Sequence, residues 1–178
     1  MADAAPMAVA RRTFLGRLTL AAGVAPPLVG LMQGRALALP RGEETDLAIL
    51  HAALALEHQA IALYDAGLRR DLFPAGLRAY AVEFRGDHEG HRDTQIAIAE
   101  ERGGKPPAPL ARYDFGPLVA GEAFIGQALE VERAAQRAYS ALVSQIGTRD
   151  YLLSAAFILV DEVRHITVWR RVLGLSIY

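Results

Sequence analysis

The stretch Asp161-Glu162-Val163-Arg164-His165 lies among apolar residues, with Ile158 and Leu159 before it and Val168 after it. On a helix, residues three apart project from one face, so Glu162 and His165 point the same way, into the side that those neighbours bury. A second string, Asp87-His88-Glu89-Gly90-His91, has the same build, with Phe84 one and two turns below its histidines. Further out, two glutamates stand alone on apolar helical faces. Glu57 follows Leu54 and precedes Ile61 and Tyr64, while Glu132 shares a face with Ile125, Leu129, Gln136, Tyr139 and Val143. A buried carboxylate with no partner is costly, so each of these needs a hydrogen-bond partner, a proton or a cation.

The four positions form a repeat. Glu57 is followed by Tyr64 at +7 and His91 at +34, and Glu132 by Tyr139 at +7 and His165 at +33. Each histidine has an aspartate at −4 (Asp87, Asp161) and a potential donor at −3 (His88, Glu162). Such agreement implies an internal duplication with an approximate two-fold axis. Two helices then offer a donor pair each and the other two a single carboxylate. The aspartate one turn below each histidine is expected to accept the second N–H of that imidazole and fix its tautomer. Oxygen and imidazole donors without thiolate suit iron or manganese, with zinc and copper also compatible.

Periodicity and punctuation place these residues on four helices. The first is expected from Thr45 or Asp46 to Arg70, with Leu47, Leu50, Leu54, Ile61, Tyr64 and Leu68 as one buried face and acidic residues at its start. Pro74 suits the first turn of a second helix that reaches about Arg102, where Gly103-Gly104 and the following prolines stop it. A third is expected from about Pro117 to Gln145, and a fourth, capped by Thr148 or Asp150, to about Leu173. No segment alternates as a strand does, so the fold class is all-α. Helices of this size are roughly 38 Å long, and the long connection between the second and third can cross one end of a bundle.

The chain has 178 residues, 52% hydrophobic, 22% charged and 7% aromatic, with a net charge of −1 and no cysteine. This bounds it to one domain with a real core and excludes disulfides, thiolate catalysis and iron–sulfur clusters. No basic stripe points to nucleic acid. Residues 1–38 read as a targeting segment: Arg11-Arg12-Thr13-Phe14-Leu15, a weakly apolar stretch broken by Arg17, Gly23, Pro26-Pro27 and Gly30, then Ala36-Leu37-Ala38 as a cleavage pattern. The remaining 140 residues hold 15 basic and 19 acidic side chains, a net charge of −4.

The paired arginines resemble a twin-arginine export signal, which implies a periplasmic destination, the export machinery as a partner and a protein that crosses the membrane already folded; an uncleaved anchor is the alternative. Residues 39–178, with Glu57/Tyr64, Glu132/Tyr139 and Asp161-Glu162-Val163-Arg164-His165, resemble the ferritin-like superfamily of dinuclear carboxylate proteins: ferritins, rubrerythrins, ribonucleotide reductase small subunits and bacterial monooxygenases. The resemblance implies a four-helix bundle with one long crossover and a metal site of Glu57, His91, Glu132, Glu162 and His165. His88 stands where the family usually has glutamate. That exchange removes one negative charge, so a dinuclear site of altered potential, a mononuclear site, or a metal nearer His88 and His91 all remain open. Glu89 is 100° away around the helix. The resemblance further implies iron, as two ions, with manganese or zinc as alternatives, and ferrous iron, peroxide or dioxygen as substrate. A homodimer is compatible with the sequence. The competing reading is a non-catalytic, metal-binding or structural stress-related bundle of the cell envelope whose site has decayed at His88. Taken singly, a structural role would explain each residue. His51 and His58 fall on a flank or the surface, Trp169, Tyr64 and Tyr139 read as core, and Glu122 and Glu130 as solvated.

Overall fold

A computed structural model of the protein describes residues 39–177. The twin-arginine-type segment 1–38 lies outside the described residues. Within them the chain forms α1 (Glu43–Arg69), a 3-10 turn (Ala75–Leu77), α2 (Arg78–Glu101), α3 (Glu122–Val143) and α4 (Arg149–Val172), with no strand. This is the expected all-α bundle of two hairpins joined by one long connection.

Two helix starts differ from expectation. Pro74 is extended (φ −53°, ψ 141°) and opens the 3-10 turn, so α2 proper begins at Arg78. The third helix begins at Glu122 rather than near Pro117, because Gly116 and Gly121 take positive φ (68° and 79°) that a right-handed helix cannot continue through. The Gly121 N–H is instead satisfied by the Leu72 carbonyl at 2.9 Å, which ties the end of the crossover to the first hairpin's turn.

The fourth helix starts at Arg149 after Thr148, yet the Thr148 side chain does not cap it. Asp46 of α1, buried and remote in sequence, accepts from the Gly147 N–H (2.9 Å), the Thr148 N–H (2.9 Å) and the Thr148 hydroxyl (2.6 Å). One carboxylate therefore satisfies α4's approach and locks the two hairpins together. The first helix is buried on nearly all sides from Ala52 to Ile61, more than the single stripe its periodicity suggests. The crossover covers its outer side, with the Pro107 carbonyl 3.2 Å from His58 Nε2 and with Leu110 and Tyr113 packed on the core.

The core has two apolar clusters, one toward each end of the bundle. One contains Ile49, Leu50, Leu142, Tyr151 and Ile158; the other contains Tyr64, Phe73, Phe84, Phe124 and Trp169. On every helix the break between the clusters falls at the acidic and histidine positions. The apolar layers thus seal a polar layer from water above and below.

Candidate metal centre

All six side chains singled out in sequence meet in that layer. Glu57, His88, His91, Glu132, Glu162 and His165 are buried, the least so being His91 at 8% exposure. Their potential ligand atoms fall into two overlapping groups, Glu57–His88–His91–Glu162 and His88–Glu132–Glu162–His165, within each of which the atoms lie within 4.8 Å of one another. His88 and Glu162 belong to both. Glu57 and His91 belong to one group, and Glu132 and His165 to the other, which is the two-fold arrangement that the repeat predicts.

His88 sits between the two carboxylates contributed singly. Its Nδ1 is 2.8 Å from Glu57 Oε2, and its Nε2 is 3.3 Å from Glu132 Oε2. Glu162 Oε1 approaches His88 Nδ1 at 3.7 Å and His91 Nδ1 at 3.8 Å, beyond hydrogen-bond reach.

The surrounding hydrogen bonds cross between the halves. His91 Nε2 lies 3.3 Å from Asp161 on α4, and His165 Nε2 lies 3.1 Å from Asp87 on α2. The expected pairing of each histidine with the aspartate one turn below it is therefore replaced by a pairing across the α2–α4 seam. On a helix the i−4 side chain stacks beside its neighbour along the axis, while the Nε2 of an inward-facing histidine reaches toward the facing helix. The tyrosines cross likewise. Tyr64 donates to Glu132, and Tyr139 donates to Glu57. Each tyrosine in turn accepts a bond from the residue four past a histidine: Trp169 Nε1–H to Tyr64 at 2.8 Å, and the Gln95 amide to Tyr139. Gln95, fully buried, is a site neighbour that sequence reasoning missed. Its signal was its position, since it stands four after His91 as Trp169 stands four after His165.

At the seam, Arg164 bridges the helices, donating to Glu83 (2.8 Å) and Asp87 (2.5 Å) on α2 and lying 3.5 Å from Asp161 on its own helix. Asp161 thus lies beside Arg164 while bonding to His91. Phe84 stacks on the His165 ring, with centroids 4.0 Å apart. Glu89 turns away to Arg85 at 2.8 Å, so it does not replace a missing carboxylate. His58 is buried under the crossover, and His51 is half-buried outside the site.

The electrostatics expose a deficit of positive charge. Burial pushes the Glu57 carboxyl up, but the hydrogen bond from His88 and the nearness of His88 and His91 outweigh it and hold it at about 2. Burial is likewise overcome at Glu132, where His88 and His165 hold the carboxyl well below the ordinary range. His88 is driven well above its ordinary value, burial being outweighed by the charges of Glu132 and Glu162. Glu162 is the exception. Burial and the neighbouring Glu132 and Glu57 charges push it well up despite His88.

Both Glu162 oxygens and His91 Nδ1 are buried without a hydrogen-bond partner among the described residues. Such orphaned acceptors are rare in folded proteins and call for an explanation. A cation held between these donors satisfies them together, and the donor chemistry, carboxylate and imidazole, fits iron, manganese or zinc.

A helical bundle with a buried carboxylate and histidine layer defines a class, and the sequence comparison agrees: residues 45–175 match the ferritin-like domain family, to which this chain belongs. Among solved structures it is similar to a conserved hypothetical protein, rv2844, from Mycobacterium tuberculosis. The two are 28% identical over 75% of this chain and 93% of that one, with a TM-score of 0.69. No curated protein matches the sequence.

Proposed function

We propose that this chain is an exported ferritin-like protein that holds two iron ions in its polar layer and uses them to oxidise ferrous iron or to reduce peroxide or dioxygen. The observation that carries the reading is the Glu162 carboxylate, buried with both oxygens unpartnered where the two donor groups overlap. Glu57 and His91 would hold one ion and Glu132 and His165 the other, with His88 and Glu162 available to both. Iron held there would supply the redox chemistry.

The chain's own residues do the rest. Asp161 and Asp87 orient the two histidines from outside, leaving Nδ1 of each to face the interior. Tyr64 and Tyr139 hold Glu132 and Glu57 by their hydroxyl protons. The apolar clusters exclude water on both sides. Export by the twin-arginine route is supported by Arg11-Arg12 and the Ala36-Leu37-Ala38 pattern.

One observation favours a second reading. His88 already spans Glu57 and Glu132 through its two ring nitrogens, so part of the charge that metal would neutralise is met by an imidazole. On that reading the bundle binds zinc or a single ion, or no metal, without turnover. Elemental analysis of the purified protein, followed by ferrous oxidation and peroxide consumption assays, decides. Two equivalents of iron with turnover support the first reading, and a folded helical protein with zinc or no metal supports the second. Manganese in place of iron, with turnover, retains the site and changes the metal.

A further inference from the structure

The outer face of α4 carries an exposed stripe at alternating steps of three and four residues: Asp150, Leu153, Phe157, Val160 and Arg164, then, a heptad on from Arg164, Arg171. That is the spacing of a two-helix seam, and it lies opposite the side that carries Glu162 and His165. Among the described residues, Phe157 at 72% and Val160 at 66% are the two most exposed large hydrophobic side chains, and Leu153 is exposed at 48%. Along its border α2, tied to Arg164 through Glu83 and Asp87, exposes Gly86 and Gly90, where an added Cβ would meet nothing within 4 Å. The approach to the stripe is therefore open. A solvated helix face does not concentrate large apolar side chains in this way.

We infer that a second copy of this chain docks on the stripe, with the two α4 helices antiparallel about a two-fold axis near Val160. The charges at the ends choose the partner and its direction. The stripe begins with the acidic Asp150 and ends with the basic Arg171, both exposed, and neither takes part in an ion pair among the described residues. Parallel copies would set Asp150 against Asp150 and Arg171 against Arg171. Antiparallel copies set Asp150 against Arg171 at both ends. The same register places Val160 against Val160 of the second copy, and Phe157 over the Arg164 guanidinium, a cation–π arrangement. The complementarity is with the chain itself, as a two-fold contact requires. This inference is independent of the metal reading, because no member of the polar layer takes part in it.

Sedimentation velocity on the purified protein at low ionic strength tests it. The expected species is a dimer, and Val160→Glu is expected to be a monomer with unchanged helical circular dichroism. Asp150→Arg should weaken the dimer about tenfold. Adding Arg171→Asp to that variant should restore it, since the two ends are then exchanged. A wild-type protein that remains monomeric at about 50 µM, a Val160→Glu variant that still dimerises, or a double exchange no tighter than the single one overturns the inference. The exchange arms use surface positions only, so they remain decisive if Val160→Glu folds poorly.

Discussion

His165 on α4 donates through Nε2 to Asp87 on α2, 3.1 Å away, although Asp161 stands one turn below it on its own helix. Asp161 serves His91 instead. Each aspartate thus stabilises the histidine of the other half, so the two halves of the repeat cannot be oriented independently. Double-mutant cycles test this. Asp87→Ala and His165→Ala should couple by about 1 kcal/mol or more in unfolding free energy, as hydrogen-bonded neighbours do. Asp87→Ala and His91→Ala should couple more weakly. Equal coupling of Asp87 to both histidines would show that the cross-seam bond carries no weight in solution.

The Asp46 carboxylate offers a test of how the hairpins are joined. It is buried and accepts three bonds from Gly147 and Thr148, more than a hundred residues away. Asp46→Ala leaves those donors unsatisfied at the start of α4 and should cost about 2 kcal/mol or more in chemical denaturation. Asp46→Asn keeps one acceptor and should cost less. A loss under about 0.5 kcal/mol, the level of an ordinary surface change, would mean that water replaces the carboxylate there.

The architecture was legible because its signals are local. Apolar residues at three- and four-residue steps mark the faces, and Gly103-Gly104 with Pro106, Pro107 and Pro109 marks the crossover. The six polar residues were legible for a related reason: Glu or His inside an apolar face leaves a trace in one helix, and the duplication writes it twice. What the sequence could not show is contact between helices. The exchange of aspartates, the exchange of tyrosines and the reach of Asp46 to Thr148 each depend on how two rods face one another, which no spacing along one rod encodes. Gln95 was missed because it shares only position, not chemistry, with Trp169. The start of α3 was misplaced because Pro117 suits both a helix's first turn and a bend, and the positive φ of Gly121 decides for the bend.

Gly67 is needed for packing rather than for its backbone. A Cβ there would overlap the Phe124 ring and come within 2.6 Å of Phe73. Both rings belong to the apolar cluster that seals one side of the polar layer, and they meet edge to face with centroids 4.9 Å apart. Gly67→Ala gains helix propensity but must displace these rings, so a net loss of about 1–3 kcal/mol is expected by thermal or chemical unfolding. A stabilised variant would show that the rings move aside freely and that this seal is loose.

Glu162→Gln separates the cost of the polar layer from its use. The glutamate is buried with both oxygens unpartnered, and the charges of Glu132 and Glu57 oppose its own. Without metal, the neutral amide removes that repulsion and can donate to the carboxylates beside it, so the metal-free variant should be more stable than wild type by about 1 kcal/mol. With metal the order reverses. A ligand at a hundred times its Kd stabilises the native state by about 2.7 kcal/mol, so added ferrous iron or zinc should raise the wild-type Tm clearly and the variant's far less. Residues kept for the fold are rarely improved by replacement, whereas residues kept for a ligand often are. If Glu162→Gln destabilises the metal-free protein and metal leaves both proteins unchanged, the carboxylate belongs to the fold and the polar layer is not a metal site.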